Sequence, residues 1–283
     1  MSQQKVLWNG DFTEHLQPLD AVVPQAGTEF EIDSVALNEL CTNPKNLQQL
    51  TSDAKSGLYC LDDMDSSVIL LRKAMNPSDS ATEELRAFML DESKVPRTPN
   101  PMNANTYVKR RQATFGAKYN FGQRVVSIGP DESWPNVVTV ALNFAKKFAT
   151  LRGIDAKLYN GAHVNYYEGS ASLAPHSDAE GDMLHGLPII SITLLAGDRK
   201  PRPFSIYTKP VIKGEKPSKL ADVLLDHGDV IVMLGSMQDF YLHGVEAAKP
   251  PKAFQKAERM NITVRAFTPD AVASVGDKRP RED

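Results

Sequence analysis

The chain has 283 residues and a mass of 31.2 kDa, and at 41% hydrophobic and 24% charged it can bury a core and is neither disordered nor collagen-like. Its two cysteines, Cys41 and Cys60, exclude a disulfide scaffold and a cysteine-rich zinc site, and no apolar run approaches the roughly 20 residues of a membrane-spanning helix. The net charge of −3 hides an uneven map: residues 1–92 hold 16 acids against 6 bases, whereas residues 93–130 hold seven bases and no acid, the footprint of a polyanion-binding edge.

The first 75 residues are poorly periodic, with one short helix expected around Ser34–Cys41. Asp79 and Ser80 lead into a helix over Ala81–Met89, where Ser80 and Glu83 have the spacing of a capping box. Pro and Asn between Arg97 and Asn105 predict an exposed loop. Trp134-Pro135 opens the clearest helix: Val137, Val140, Ala141, Phe144, Phe148 and Leu151 recur at helical steps, and Gly153 offers a C-terminal cap. Strands are predicted at Ala162–Tyr167, Pro188–Leu195, Pro203–Tyr207, Val230–Leu234, Phe240–Val245 and Asn261–Phe267, divided by Gly, Pro or Asp turns. The expectation is an α+β chain, mostly β in its C-terminal half, built as a helix-backed barrel or sandwich. Met1–Asp11 lacks the charged-then-apolar layout of a secretory signal, so an intracellular protein is expected.

Two constellations carry chemistry. In His176-Ser177-Asp178 the histidine and carboxylate fall on one face of an extended segment, and His243 lies at the end of a later strand. Two imidazoles and one carboxylate leave adjacent positions open on an octahedral Fe(II). Sixteen residues beyond His243, Arg259-Met260-Asn261-Ile262-Thr263-Val264-Arg265 reads as a strand with Arg259, Asn261, Thr263 and Arg265 turned inward, and Ile262, Val264 and Phe267 on the apolar face. Two inward guanidinium groups require an anion, and a small dicarboxylate would give each a bidentate partner. Asn165 and Tyr167 share one strand face and offer an amide and a phenol to the same interior. His227 reads as a turn residue, His163 and His185 have no partner at ligand spacing, and His15 falls in an unassigned region.

Taken in order, Val108-Lys-Arg-Arg-Gln-Ala-Thr-Phe-Gly116, Tyr119-Asn-Phe-Gly122, Asn165-Tyr-Tyr-Glu-Gly169, His176-Ser-Asp-Ala-Glu180, Pro188-Ile-Ile-Ser-Ile-Thr193, Asp226-His-Gly-Asp-Val230, His243 and the Arg259–Arg265 strand resemble the AlkB family of Fe(II)- and 2-oxoglutarate-dependent dioxygenases. Within it, the Arg-Gln-Ala-Thr-Phe-Gly segment is nearest the homologues that repair DNA in eukaryotic nuclei. The resemblance spans about residues 107–267.

It implies a double-stranded β-helix, or jelly-roll, with supporting helices, and a requirement for Fe(II), 2-oxoglutarate and O2. His176, Asp178 and His243 would hold iron. Arg259 and Tyr167 would take the distal carboxylate of 2-oxoglutarate, and Asn165, Asn261 and Arg265 the end that chelates iron. Glu180 would face the exocyclic amine of a flipped base, and Phe121 would stack on that base. Lys109, Arg110 and Arg111, with Phe115, Tyr119 and Phe121 interleaved, would form a nucleic-acid lid.

The implied organisation is a variable acidic region packed on the core (1–92), a basic nucleotide-recognition lid (93–130), a dioxygenase core (131–270) and a flexible tail (271–283). The implied reaction is oxidative demethylation of N-alkylated bases such as 1-methyladenine and 3-methylcytosine, releasing formaldehyde, succinate and CO2. In place of the apolar finger of duplex-repairing relatives, this chain has Asn100–Asn105 with Met102 as the one wedge. Alkylated single strands of DNA or RNA are therefore expected to bind at least as well as duplex. A monomer is expected, away from membranes, in the nucleus of a eukaryote or its virus and otherwise in the cytoplasm; Lys278-Arg279-Pro280-Arg281 is a weak import motif. A 2-oxoglutarate-dependent hydroxylase or demethylase of a protein or small molecule would share every metal and cosubstrate residue, leaving the lid and Glu180 to discriminate.

Overall fold

The computed structural model describes residues 28–30, 34–62, 66–100, 103–117, 125–130, 132–179, 181–212 and 215–273. The N-terminal third supplies β1 (Thr28–Phe30), α1 (Ser34–Thr42), β2 (Lys45–Asn46), β3 (Gly57–Cys60), β4 (Ser67–Leu71), β5 (Met75–Pro77) and α2 (Asp79–Leu90). Next come β6 (Pro99–Asn100), β7 (Asn103–Tyr107), β8 (Arg110–Phe115), β9 (Val126–Ile128), α3 (Asn136–Leu151) and β10 (Tyr159–Glu168). The back half holds β11 (Leu173–His176), β12 (Ile189–Gly197), β13 (Arg202–Thr208), β14 (Lys219–Leu225) and β15 (Val230–Leu234). The chain closes with α4 (Met237–Phe240), β16 (Tyr241–Val245), β17 (Ala257–Ala266) and α5 (Pro269–Ala273).

A nine-stranded sheet in the order β2-β3-β4-β15-β12-β17-β10-β8-β9 is joined by a four-stranded sheet in the order β11-β16-β13-β14. This is a jelly-roll with helices on one side. One apolar cluster joins the outer face of the large sheet (Ile190, Ile192, Leu194, Ile262, Val264) to α2 and α3 through Leu85, Val137, Phe144 and Phe148. A second fills one end of the barrel, where Val68, Leu70, Ile231 and Met233 meet Phe204, Ile206 and Val223 of the small sheet. Each large side chain so buried contributes about 1.5–3 kcal/mol. The other end of the barrel is polar, and the site lies there.

The helices and the six predicted strands of the back half fall where the periodicity puts them, within a few residues. Gly153 does end α3, with φ +68°. At α2 the cap differs: Ser78, not Ser80, accepts from the Ala81 amide at 3.2 Å. The antiparallel pair of β6 and β7 occupies the stretch expected to be a loop. The sequence does not predict β3 or β4: in β4 both faces of Val68–Leu71 are buried, which erases the period-two alternation, and β3 alternates in burial over only four residues. They extend the large sheet through β15, so part of the acidic N-terminal third is built into the core sheet. Phe267 shares the parity of Arg265, contrary to the expected face, and joins the inner cluster beside Met183.

Candidate active site

The register of the small sheet creates the metal-binding geometry. β11 pairs with β16 so that His176 stands opposite His243, with ring centres 4.4 Å apart. Gly244 permits this approach: a Cβ there would lie 2.8 Å from the Leu173 carbonyl oxygen. Asp178, two residues past the end of β11, reaches both rings, its Oδ1 3.6 Å from His176 Nε2 and its Oδ2 3.7 Å from His243 Nε2. One ligand atom from each residue lies within 4.8 Å of the others, the only such group of three among the described residues.

The surroundings fix each ligand's state. His176 Nδ1 donates to the Ala174 carbonyl at 3.0 Å, which leaves the Nε2 lone pair facing Asp178. Burial holds the His243 pKa well below its ordinary value, with His176 and Arg265 adding to the effect, and the ring stacks on Phe204 at 5.4 Å. Asp178 is 3% exposed, accepts from Arg265 Nη2 at 2.6 Å, and donates its main-chain N–H to Gln238 Oε1 at 2.8 Å. Two imidazoles and an oriented carboxylate are the donor set that Fe(II) takes.

Behind the triad, β17 presents Arg259, Asn261, Thr263 and Arg265 inward as their spacing predicts, facing Asn165 and Tyr167 of β10. Arg259 Nη2 donates to Thr193 Oγ1 and Asn261 Oδ1, both at 3.0 Å. Its Nε and Nη1, and Asn165 Oδ1, are buried without hydrogen-bond partners among the described residues. Burial pulls the Arg259 pKa below its ordinary value, opposed by the Tyr167 phenol, whose ring centre is 5.4 Å from the guanidinium carbon. Unpaired donors on a buried cation call for a carboxylate, which the distal end of 2-oxoglutarate would supply. The residues present therefore fit both Fe(II) and 2-oxoglutarate. Arg265, expected at the chelating end of 2-oxoglutarate, spends one nitrogen on Asp178.

A cleft of about 540 Å³ opens beside the triad, lined by Arg110, Gln112, His163, Asn165, Leu173 and His176 among others. Strand parity sorts the basic run of β8. Arg110, Gln112 and Thr114 face inward, opposite Tyr167, Asn165 and His163 of β10. Arg111 and Phe115, expected to contact nucleic acid, instead face the helices. Arg111 is 6% exposed and donates to the Leu90 and Val95 carbonyls, while Phe115 is buried between Phe88 and Trp134. Met102, Tyr119, Phe121 and Glu180 lie outside the described residues.

Sequence reasoning missed three groups. His163 is fully buried and neutral, its pKa pushed well down by desolvation and then by Arg265, and it bonds to Thr114 at 2.9 Å and Gln112 at 3.2 Å. The period-two rule could have found it, since it precedes Asn165 by two on the same strand. Arg202, 2% exposed behind Tyr167, was indistinguishable from the neighbouring surface bases Arg199 and Lys200. Thr193 ends the Pro188–Thr193 segment, and its hydroxyl accepts from Arg259.

A jelly-roll carrying two histidines and an aspartate at one end of the barrel, with an arginine-lined chamber beside them, defines a mononuclear iron oxygenase site. The model of the "2OG-Fe(II) oxygenase superfamily" matches residues 68–265, and the chain belongs to that family of dioxygenases, which use Fe(II), 2-oxoglutarate and O2. Among solved structures, that of OsALKBH1 is similar at 22% identity, covering 74% of this chain and 100% of that one with a TM-score of 0.42. No curated protein matches the chain.

Proposed function

We propose that this dioxygenase is an AlkB-type oxidative dealkylase of N-methylated nucleic-acid bases. The observation that carries the reading is the cleft beside the triad, walled by the inward residues of β8, the strand that holds the Arg-Gln-Ala-Thr-Phe-Gly motif. Arg110 Nη2 donates to Gln112 Oε1 at 3.3 Å, while its buried Nη1 has no partner among the described residues. Lys109, one residue before β8, is exposed. A polar, cationic wall beside the oxidising centre suits a base extruded from a phosphodiester strand.

Fe(II) with 2-oxoglutarate and O2 supplies the oxidation: one oxygen atom enters succinate as CO2 is lost, the other enters a C–H bond of the N-methyl group, and formaldehyde then departs to leave N–H. The chain's part is orientation. Arg265 and Gln238 hold Asp178, the Ala174 carbonyl sets the His176 tautomer, and Arg259 anchors the dicarboxylate. The substrates on this reading are alkylated single strands at least as much as duplex, acted on by a monomer in the nucleus or cytoplasm.

The test is anaerobic loading with Fe(II) and 2-oxoglutarate, followed by O2 and methylated single-stranded or duplex oligonucleotides, reading succinate and base mass together. Succinate formed in step with loss of 14 mass units from 1-methyladenine or 3-methylcytosine is the expected result, each turnover exchanging one methyl for hydrogen. Succinate formed equally with and without oligonucleotide, with no base demethylated, would overturn it and favour a protein or small-molecule substrate.

A further inference from the structure

The dicarboxylate chamber holds more positive charge than its own lining accounts for. Arg202 opens β13 immediately after the surface turn at Asp198–Lys200, yet it is 2% exposed. Its guanidinium carbon lies 6.0 Å from the centre of the Tyr167 ring, the same ring that Arg259 approaches at 5.4 Å. Neither arginine has a carboxylate within 4 Å among the described residues. Arg202 instead donates to two main-chain carbonyls, Gly169 at 3.4 Å and Glu246, and its Nε is buried with no partner among the described residues. Burial, and after it the repulsion of Arg259, lowers its pKa to about 10, so it stays charged at neutral pH.

Two desolvated cations sharing one phenol repel each other and gain when an anion enters between water and the barrel wall. We propose that Arg202 is a positioning residue for the cosubstrate: it orients Tyr167 against Arg259 and adds a second buried positive charge that selects a 2-oxo acid carrying a distal carboxylate. A purely structural strap is the competing account, because Arg202 ties the turn after β10 to the end of β16 through those two carbonyls. The two accounts differ in ligand selectivity. A strap, once loosened, would weaken every 2-oxo acid alike. A charge acting on the distal carboxylate leaves a ligand without that carboxylate untouched.

The inference rests on the chamber being the 2-oxoglutarate site, and the experiment separates the two. Protein loaded with Mn(II) is titrated calorimetrically with 2-oxoglutarate and with 2-oxobutyrate, which shares the chelating end but lacks the distal carboxylate. Arg202→Gln, which keeps a neutral hydrogen-bond donor, should weaken 2-oxoglutarate by roughly tenfold or more and leave 2-oxobutyrate within about twofold. Arg202→Lys, which keeps the charge but loses the fork, should recover most of that selectivity, and in turnover KM for 2-oxoglutarate should move while kcat holds. Equal weakening of both acids, or no change in either, overturns the proposal while leaving the chamber assignment standing. Wild-type protein that does not distinguish the two acids overturns both. Should Arg202→Gln fail to fold, Arg202→Lys decides alone: a collapse of its selectivity to that of a monocarboxylate site would show that charge at this position is not what selects.

Discussion

Replacing Arg265 with Met removes the cation that holds Asp178. Both residues are 3% exposed and the Nη2–Oδ1 distance is 2.6 Å, so the variant leaves a carboxylate buried without its charged partner. Breaking a buried pair from one side costs about 3–5 kcal/mol, and at roughly 2–4 °C per kcal/mol the melting temperature of the metal-free protein should fall by about 6–20 °C. A divalent cation at the triad restores positive charge beside Asp178. Mn(II), stable in air, should therefore raise the melting temperature of Arg265→Met more than that of the wild type, by several degrees. Thermal melts with and without saturating Mn(II) give all four values. An identical metal-induced rise in the two proteins would refute the idea that Arg265 and the metal share one carboxylate, as would a metal-free variant that melts with the wild type.

Arg259→Lys keeps the charge but not the fork, and losing a charged hydrogen bond to the distal carboxylate should weaken 2-oxoglutarate by roughly tenfold or more; an unchanged KM would remove Arg259 from that role. Phe115→Ala should cost about 3–5 kcal/mol of stability, read by urea unfolding, because the ring is core and not lid; a near-neutral change would restore it to the surface. Arg111→Ala should lower stability and leave the salt dependence of oligonucleotide binding unchanged, whereas Lys109→Ala should reduce that slope by about one. His163 stays neutral in the fold, so as pH drops below about 6.5 the unfolded chain alone takes up the proton, and stability falls by up to about 1.4 kcal/mol per pH unit until the folded pKa is reached. His163→Leu should flatten that acid-side slope in metal-free protein, with His243 supplying the remainder; urea midpoints from pH 7 to 5 that stay parallel to wild type would contradict the assignment.

In two elements the residue pattern alone determined the outcome. The 3.6-residue recurrence from Val137 to Leu151 is α3, and the alternation from Arg259 to Arg265 is the polar lining of the barrel. The metal triad was legible because His176 and Asp178 are local to one extended segment and the rest of the pattern is chemical. Three kinds of fact needed the tertiary structure. Val68–Leu71 is buried on both faces, so nothing in its pattern says strand, and only the pairing with β15 places it in the sheet. Lys109, Arg110 and Arg111 are equal in the sequence, but strand parity sends Arg110 to the cleft and Arg111 beneath α2, where the Leu90 and Val95 carbonyls take up its donors. Lys200 and Arg202 stand two apart in sequence, yet Lys200 is half-exposed and Arg202, the first residue of β13, is buried against Tyr167, because burial is decided by what folds over a residue and not by the residue itself.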